Sequence, residues 1–311
     1  YAYKKGVHAS VMTYLAARKK DFYKIENAAD GKHFVTARGW DDLSEMIKLY
    51  EENGLAVDEQ LICQYLQDAR ISKDFAIYYD LFNKYRSDYQ VEKILDGTVS
   101  ESIVLRAERA CMDERLSLLG LIFDSVTAQL RTVCERENIL DLVTGQLKTL
   151  KEKLKDVSGA AALLSEMIEA EREKLERGKQ SSSISPQAQR ETRFMLEYLE
   201  EFRAAVMQSG TAQKDEFSVV RESFAQKVAE LKGLAADGSR VLENVFLFCE
   251  KAFADGDEIL IFVTELTANY YSARFIGRYG CDKYYMHNKQ LQFDQRQQEI
   301  IKRMDEIQWT V

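Results

Sequence analysis

Apolar side chains along this chain recur mostly at spacings of three and four residues, the period of a helix with one buried face. Between His8 and Tyr23, Val11, Met12, Leu15 and Phe22 fall at helical spacings. Asp30-Gly31 then marks a turn before the β-prone stretch His33-Phe34-Val35-Thr36. A second helix is predicted from Asp41 to Asn53, where Leu43, Met46, Ile47 and Tyr50 form one stripe and Asn53-Gly54 supplies the stop. Asp58 caps a helix carrying Leu61, Ile62, Tyr65 and Leu66, and a further helix carries Phe75, Tyr78, Tyr79, Phe82 and Tyr85. These short, aromatic-rich segments are read as one domain, residues 1–97.

After Gly97 the helices lengthen and breaks become rare, so a second domain is assigned to 98–311. Leu147, Leu150, Leu154, Val157, Ala161, Leu164 and Ile168 keep a 3-4 spacing, and Glu171 interrupts it before Leu175. Met195, Leu199, Phe202 and Val206, then Phe217, Val220, Phe224, Val228 and Leu231, continue the pattern beyond a serine-rich stretch that ends at Pro186. This reads as an antiparallel coiled-coil hairpin over about 147–177 and 190–233, its tip near 178–189. The closing third, with Val241, Leu242, Val245 and Phe246 and then Ile259, Phe262 and Val263, is expected to pack back onto the base of that hairpin.

Composition agrees with an all-α fold. Proline occurs once, at Pro186, against about 5% in average usage, and helix interiors tolerate it least. Lys and Arg number 43 and Asp and Glu 51, a net charge of −8 that disfavours general attraction to nucleic acid or anionic lipid. The run Ile259-Leu260-Ile261-Phe262-Val263 is far shorter than the roughly 20 apolar residues of a spanning helix, so no membrane span is expected. Five cysteines without a C-x-x-C pair, and three scattered histidines, point to reduced thiols in a cytoplasmic protein and to no structural zinc. The opening Tyr-Ala-Tyr-Lys-Lys reads as the truncated end of something longer.

Phosphate-loop chemistry is missing: Gly31-Lys32 and Gly178-Lys179 are followed by His33 and Gln180, and neither stands in a Walker A pattern. No Gly-rich dinucleotide motif, nucleophile elbow or paired Cys/His spacing occurs either. The stretch His8-Ala9-Ser10-Val11-Met12-Thr13-Tyr14-Leu15, followed by Phe34-Val35-Thr36-Ala37-Arg38-Gly39-Trp40-Asp41-Asp42-Leu43-Ser44, nonetheless resembles the lid of MoxR-like AAA+ ATPases. The resemblance covers the first third of the chain, and Ala37 stands where the family commonly has proline. It implies that Arg38 corresponds to the sensor-2 arginine that faces the γ-phosphate of ATP. It also implies a C-terminal part of a larger enzyme, whose upstream AAA+ core would hold ATP and Mg²⁺. A homo-oligomeric ring, chaperone-like remodelling through the helical arm, and a von Willebrand factor A domain partner belong to the same implication.

The residues themselves leave alternatives. A guanidinium at a helix start opposes the helix dipole, which suits a phosphate ligand, but Asp41 and Asp42 are near enough to pair with Arg38. Trp40 either stacks on a nucleotide base or anchors the lid helix in the core. His8 and His33 lack a carboxylate partner at a legible spacing and are read as structural. Tyr270, Tyr271, Phe275, Tyr279, Tyr284 and Tyr285, interleaved with Arg274, Arg278, Lys283 and Lys289, form either a base-stacking track or half-buried core. Asp255-Gly256-Asp257-Glu258 reads as a turn and helix cap, since the later ligands of a calcium loop are lacking. The alternative function is a non-enzymatic helical scaffold or protein-interaction module.

Overall fold

Short polar side chains at helix starts set the order of the first elements, because each satisfies an amide that the first turn leaves without a partner. The His8 ring accepts the Ser10 N–H at the start of α1 (Ala9–Ala17), and Thr36 Oγ1 accepts the Gly39 N–H at 3.2 Å to open α2 (Ala37–Glu52). Asp58 opens α3 (Glu59–Tyr65) by accepting the Leu61 N–H at 2.9 Å. Asp68 opens α4 (Ala69–Asp88) through the Ile71 N–H at 3.0 Å. Between α1 and α2 lie a 3-10 turn, Lys19–Asp21, and an antiparallel hairpin of β1 (Lys24–Ala28) and β2 (Gly31–Val35), with Ile25 opposite Phe34. The structure is a computed structural model that describes residues 7–28, 31–155, 159–181, 183–209, 216–254 and 256–289.

The later elements are α5 (Val91–Leu95), α6 (Glu101–Arg109), α7 (Met112–Lys153), α8 (Ala160–Gln180), α9 (Pro186–Ser209), α10 (Glu216–Phe253), α11 (Asp257–Ala268), α12 (Tyr270–Tyr279) and a helix over 282–289, α13. The fold is all-α, with one two-stranded sheet among the described residues. Asn53 and Asp58 act as the sequence predicts, but α2 begins at Ala37 and not at Asp41, because Thr36 already caps it. The Asp30-Gly31 turn lies partly outside the described residues, since Asp30 does.

By its internal contacts the chain forms two compact units. One comprises 1–128 together with 239–311 and the other 129–238. In the first unit an aromatic core gathers Val11, Tyr14, Trp40, Leu43, Ile47 and Phe75 from α1, α2 and α4. The described part of the closing third falls in this unit. Asn244 Nδ2 donates to the Leu95 carbonyl at 2.8 Å beside Gly97, which holds φ +73°, and Phe262 meets both Phe123 and Phe246 edge-on.

In the second unit α8 and α9 pack antiparallel, with Ser165 beside Arg203 and Arg172 beside Glu200. Ser185 Oγ accepts the Ala188 N–H at 3.2 Å, and Pro186 takes the first helical position, where its missing N–H costs nothing. Over 147–177 the helix breaks between Lys153 and Ala160, and the stretches expected over 190–233 appear as α9, ending at Ser209, and α10, starting at Glu216; residues 210–215 lie outside the described residues. Its core takes Val143, Leu147 and Leu150 from α7, Leu164 and Ile168 from α8, Leu199 and Phe202 from α9, and Val220 from α10.

Replacing the fully buried Phe202 by Ala should destabilise this unit by about 3–5 kcal/mol, read as a lower urea midpoint in circular dichroism. A loss under about 1 kcal/mol would show that the four segments do not share that ring as their centre.

Candidate functional site

The residues that the sequence singles out sit on the first turn of α2, which is fixed from three sides. Thr36 closes the N-terminus, with its carbonyl accepting the Trp40 N–H at 3.1 Å. A Cβ on Gly39 would lie 2.6 Å from the Tyr65 carbonyl oxygen, so only glycine lets this turn approach the end of α3. Trp40 is 2% exposed, packs edge-on to Phe75 at 5.2 Å and tilted on Tyr14 at 5.6 Å, and donates its indole N–H to the Asp21 carbonyl at 3.2 Å. The buried Asp21 carboxylate in turn accepts from Tyr14 Oη at 3.1 Å and from Arg70 at 3.2 Å. Trp40 is thus placed as a core anchor, with its ring buried among Tyr14 and Phe75.

Arg38 takes the opposite course. Its side chain is 89% exposed, and its Nε lies 3.6 Å from Asp42 Oδ2, one turn along the helix. That distance is an ion pair in water and too long for a hydrogen bond, worth roughly 0.3–0.5 kcal/mol for such helix pairs. Asp42, and not Asp41, is the carboxylate it meets in this pair.

His8 has the carboxylate partner that sequence spacing does not reveal. Its Nδ1 accepts from the Ser10 N–H at 3.3 Å and lies 2.7 Å from Ser10 Oγ; its Nε2 lies 3.2 Å from Glu51 Oε2. Because Nδ1 accepts from a backbone amide, Nε2 is the ring nitrogen that donates, and it faces Glu51. Glu51 Oε1 accepts from Tyr79 Oη at 2.8 Å, and the His8 N–H donates to Ser44 Oγ at 2.7 Å. The order Ser10–His8–Glu51 superficially matches a nucleophile, base and orienting acid. Ser10 is fully buried, however, and no substrate reaches its hydroxyl, so the group is a helix cap tied to α2 and α4. His33 lies in β2 with its side chain outside the described residues.

The tyrosine-rich closing segment divides between core and surface. Tyr271, Phe275 and Tyr284 are buried, whereas Tyr270, Tyr279 and Tyr285 are exposed. Lys283 is held by Glu250 Oε2 at 2.7 Å, and His287, stacked on Phe246, meets Glu250 Oε1 at 3.0 Å. The rings are thus split between core and surface, and Lys283 is committed to Glu250. Glu258, at the start of α11, is buried and bound to Arg115 at 2.7 Å, a structural ion pair beside the cap residue Gly256; Asp255 lies outside the described residues.

Among the described residues no group of His, Cys, Asp and Glu has the arrangement of a metal site. None of the five cysteines is in a disulfide. One helix, α7, is long and apolar enough to cross a membrane by length and composition alone. Of its most apolar stretch 39% is buried inside the protein, Leu118, Leu119, Leu121, Ile122 and Val126 being among the buried residues of the helix.

Burial raises the Glu51 carboxyl, but the hydrogen bonds from His8 and Tyr79 and the His8 charge outweigh it and hold the group below its ordinary value of 4.5. Glu250 is lowered in the same way, burial being overcome by Lys283 and His287. A depressed carboxyl contributes stability that is complete above its unfolded value and is lost as pH falls through the folded one. The first unit should therefore lose stability as pH is taken below about 4.5. Glu51→Gln should flatten that acid limb and cost about 1–3 kcal/mol at pH 7, as measured by urea unfolding across pH. An unchanged slope would show that Glu51 carries no such linkage.

No protein-family model matches this chain, and no curated protein and no solved structure matches it.

Proposed function

We propose that the chain acts as the lid and appended helical arm of a MoxR-like AAA+ ATPase, with Arg38 as its sensor-2-like cation. The observation that carries this reading is the mounting of Arg38: an almost fully exposed guanidinium on a turn locked by Thr36, Gly39 and Trp40. A rigid base with a free head suits a planar fork that must meet a phosphate held elsewhere, and the weak Asp42 pair is easily exchanged for one. The chain carries no phosphate cradle of its own, so ATP and Mg²⁺ would be held by an upstream AAA+ core. Trp40 does not take part in that binding; it fixes the direction in which Arg38 points. In the same reading the protein assembles as a homo-oligomeric ring in the cytoplasm. The α8–α9 hairpin contacts a client or a von Willebrand factor A domain partner.

The exposed ion pair with Asp42 favours a second reading, in which Arg38 is a surface residue of a non-enzymatic helical scaffold. Turnover separates the two. In the protein carrying the nucleotide-binding core, Arg38→Ala should lower kcat about 10²-fold while leaving thermal stability and assembly unchanged, and Arg38→Lys should not restore it. Unchanged turnover in Arg38→Ala would overturn the ATPase reading and leave the scaffold.

A further inference from the structure

A cavity of about 530 Å³ lies within the first unit, away from Arg38, between α1, α7 and α11 with Tyr78 of α4 at its rim. Its size falls in the range of small-molecule sites, about 300–1,000 Å³. Met12, Leu116, Leu119, Phe123, Ile261 and Phe262 make most of its wall apolar. The polar groups at the Tyr78 rim satisfy one another: Tyr78 Oη donates to Thr13 Oγ1 at 2.7 Å, and Thr13 Oγ1 donates to the Ala9 carbonyl at 2.8 Å.

Two groups on α7 are different. Asp124 lines the cavity with no hydrogen-bond or ion-pair partner for its carboxylate among the described residues. One turn on, Thr127 Oγ1 is fully buried and also lacks a hydrogen-bond partner. Native interiors rarely leave such groups unmet, because each costs free energy until something donates to it. Burial pushes the Asp124 carboxyl above the ordinary carboxylate range, the more distant charges of His8, Arg86 and Lys48 opposing it only in part.

The sign of the remaining lining is consistent. Asp113, Asp124 and Glu265 face the cavity against one cation, Arg18, whose Nη1 is already bound to Asp74 at 2.9 Å. The wall thus asks for positive charge at one point and apolar surface elsewhere.

We propose that this cavity binds a small amphipathic cation, a protonated primary amine on an aromatic or branched aliphatic body, with the ammonium group on Asp124 and the body against Phe123, Leu119 and Ile261. An ammonium supplies donors to an acid that has none, and the body replaces water over the apolar wall. The proposal is independent of any role of Arg38.

The test titrates the 311-residue chain with 2-phenylethylamine, with 2-phenylethanol as its neutral counterpart and with 3-phenylpropionate as its anionic one, followed by calorimetry and ligand-observed NMR. The amine should bind with Kd below about 1 mM, the alcohol about 10-fold more weakly, and the carboxylate not at all. Asp124→Asn should weaken the amine about 10-fold and leave the alcohol unchanged, whereas Ile261→Trp, which fills the cavity, should abolish both. Equal binding of amine and alcohol would identify a plain apolar void and overturn the proposal. So would an unchanged amine affinity in Asp124→Asn, or no binding by 2-phenylethylamine or cyclohexylmethylamine up to about 10 mM.

Discussion

The burial of one indole ring governs the turn that carries Arg38. Trp40 must lose its water, and its N–H must then find an acceptor inside; the Asp21 carbonyl provides it. That single requirement draws the 3-10 turn beneath α2, sets Tyr14 and Phe75 against the ring, and orders the Asp21 carboxylate between Tyr14 and Arg70. Arg38 gains its direction as a by-product. Two positions before a ring that cannot turn, on a backbone that Thr36 and Gly39 hold against α3, the guanidinium is aimed outward with little freedom at its base.

Much of this architecture was legible because local chemistry and global packing agree in it. Asp58 caps where a capping aspartate should, Asn53 ends its helix, and the hairpin turns at the one serine-rich, proline-containing stretch. The failures have physical causes. Lys24-Ile-Glu-Asn-Ala28 has little β character of its own and becomes a strand by pairing with β2, a partner no local reading identifies. The interruption between α7 and α8 is hidden because Leu154, Val157 and Ala161 keep the helical period across it, while Gly159 takes φ +107°. Hydrophobic period records which side is buried and is silent on whether the helix is continuous.

The candidate sites divide along the same line. Arg38 and Trp40 were found from neighbours in sequence, and the structure separates them into an exposed head and a buried anchor. His8 with Glu51, His287 with Glu250, and Asp124 in its cavity were not visible, because each depends on groups brought together from distant segments. His8 and Glu51 are 43 positions apart, and their proximity follows from α1 and α2 sharing one core. A titratable side chain surrounded by its own partners is a fastener; one left without them invites a visitor.

The discontinuity of the first unit also bears on how the chain is made. Its aromatic core, from Val11 to Tyr79, comes entirely from the leading segment and can collapse as soon as that segment is synthesised. The bond from Asn244 to the Leu95 carbonyl, the Arg115–Glu258 pair and the Phe123–Phe262 contact must wait until everything between has emerged. During that interval the α7 positions that Phe262 and Glu258 later meet lack those partners, so the leading part of the first unit is complete only when the closing segment has been made.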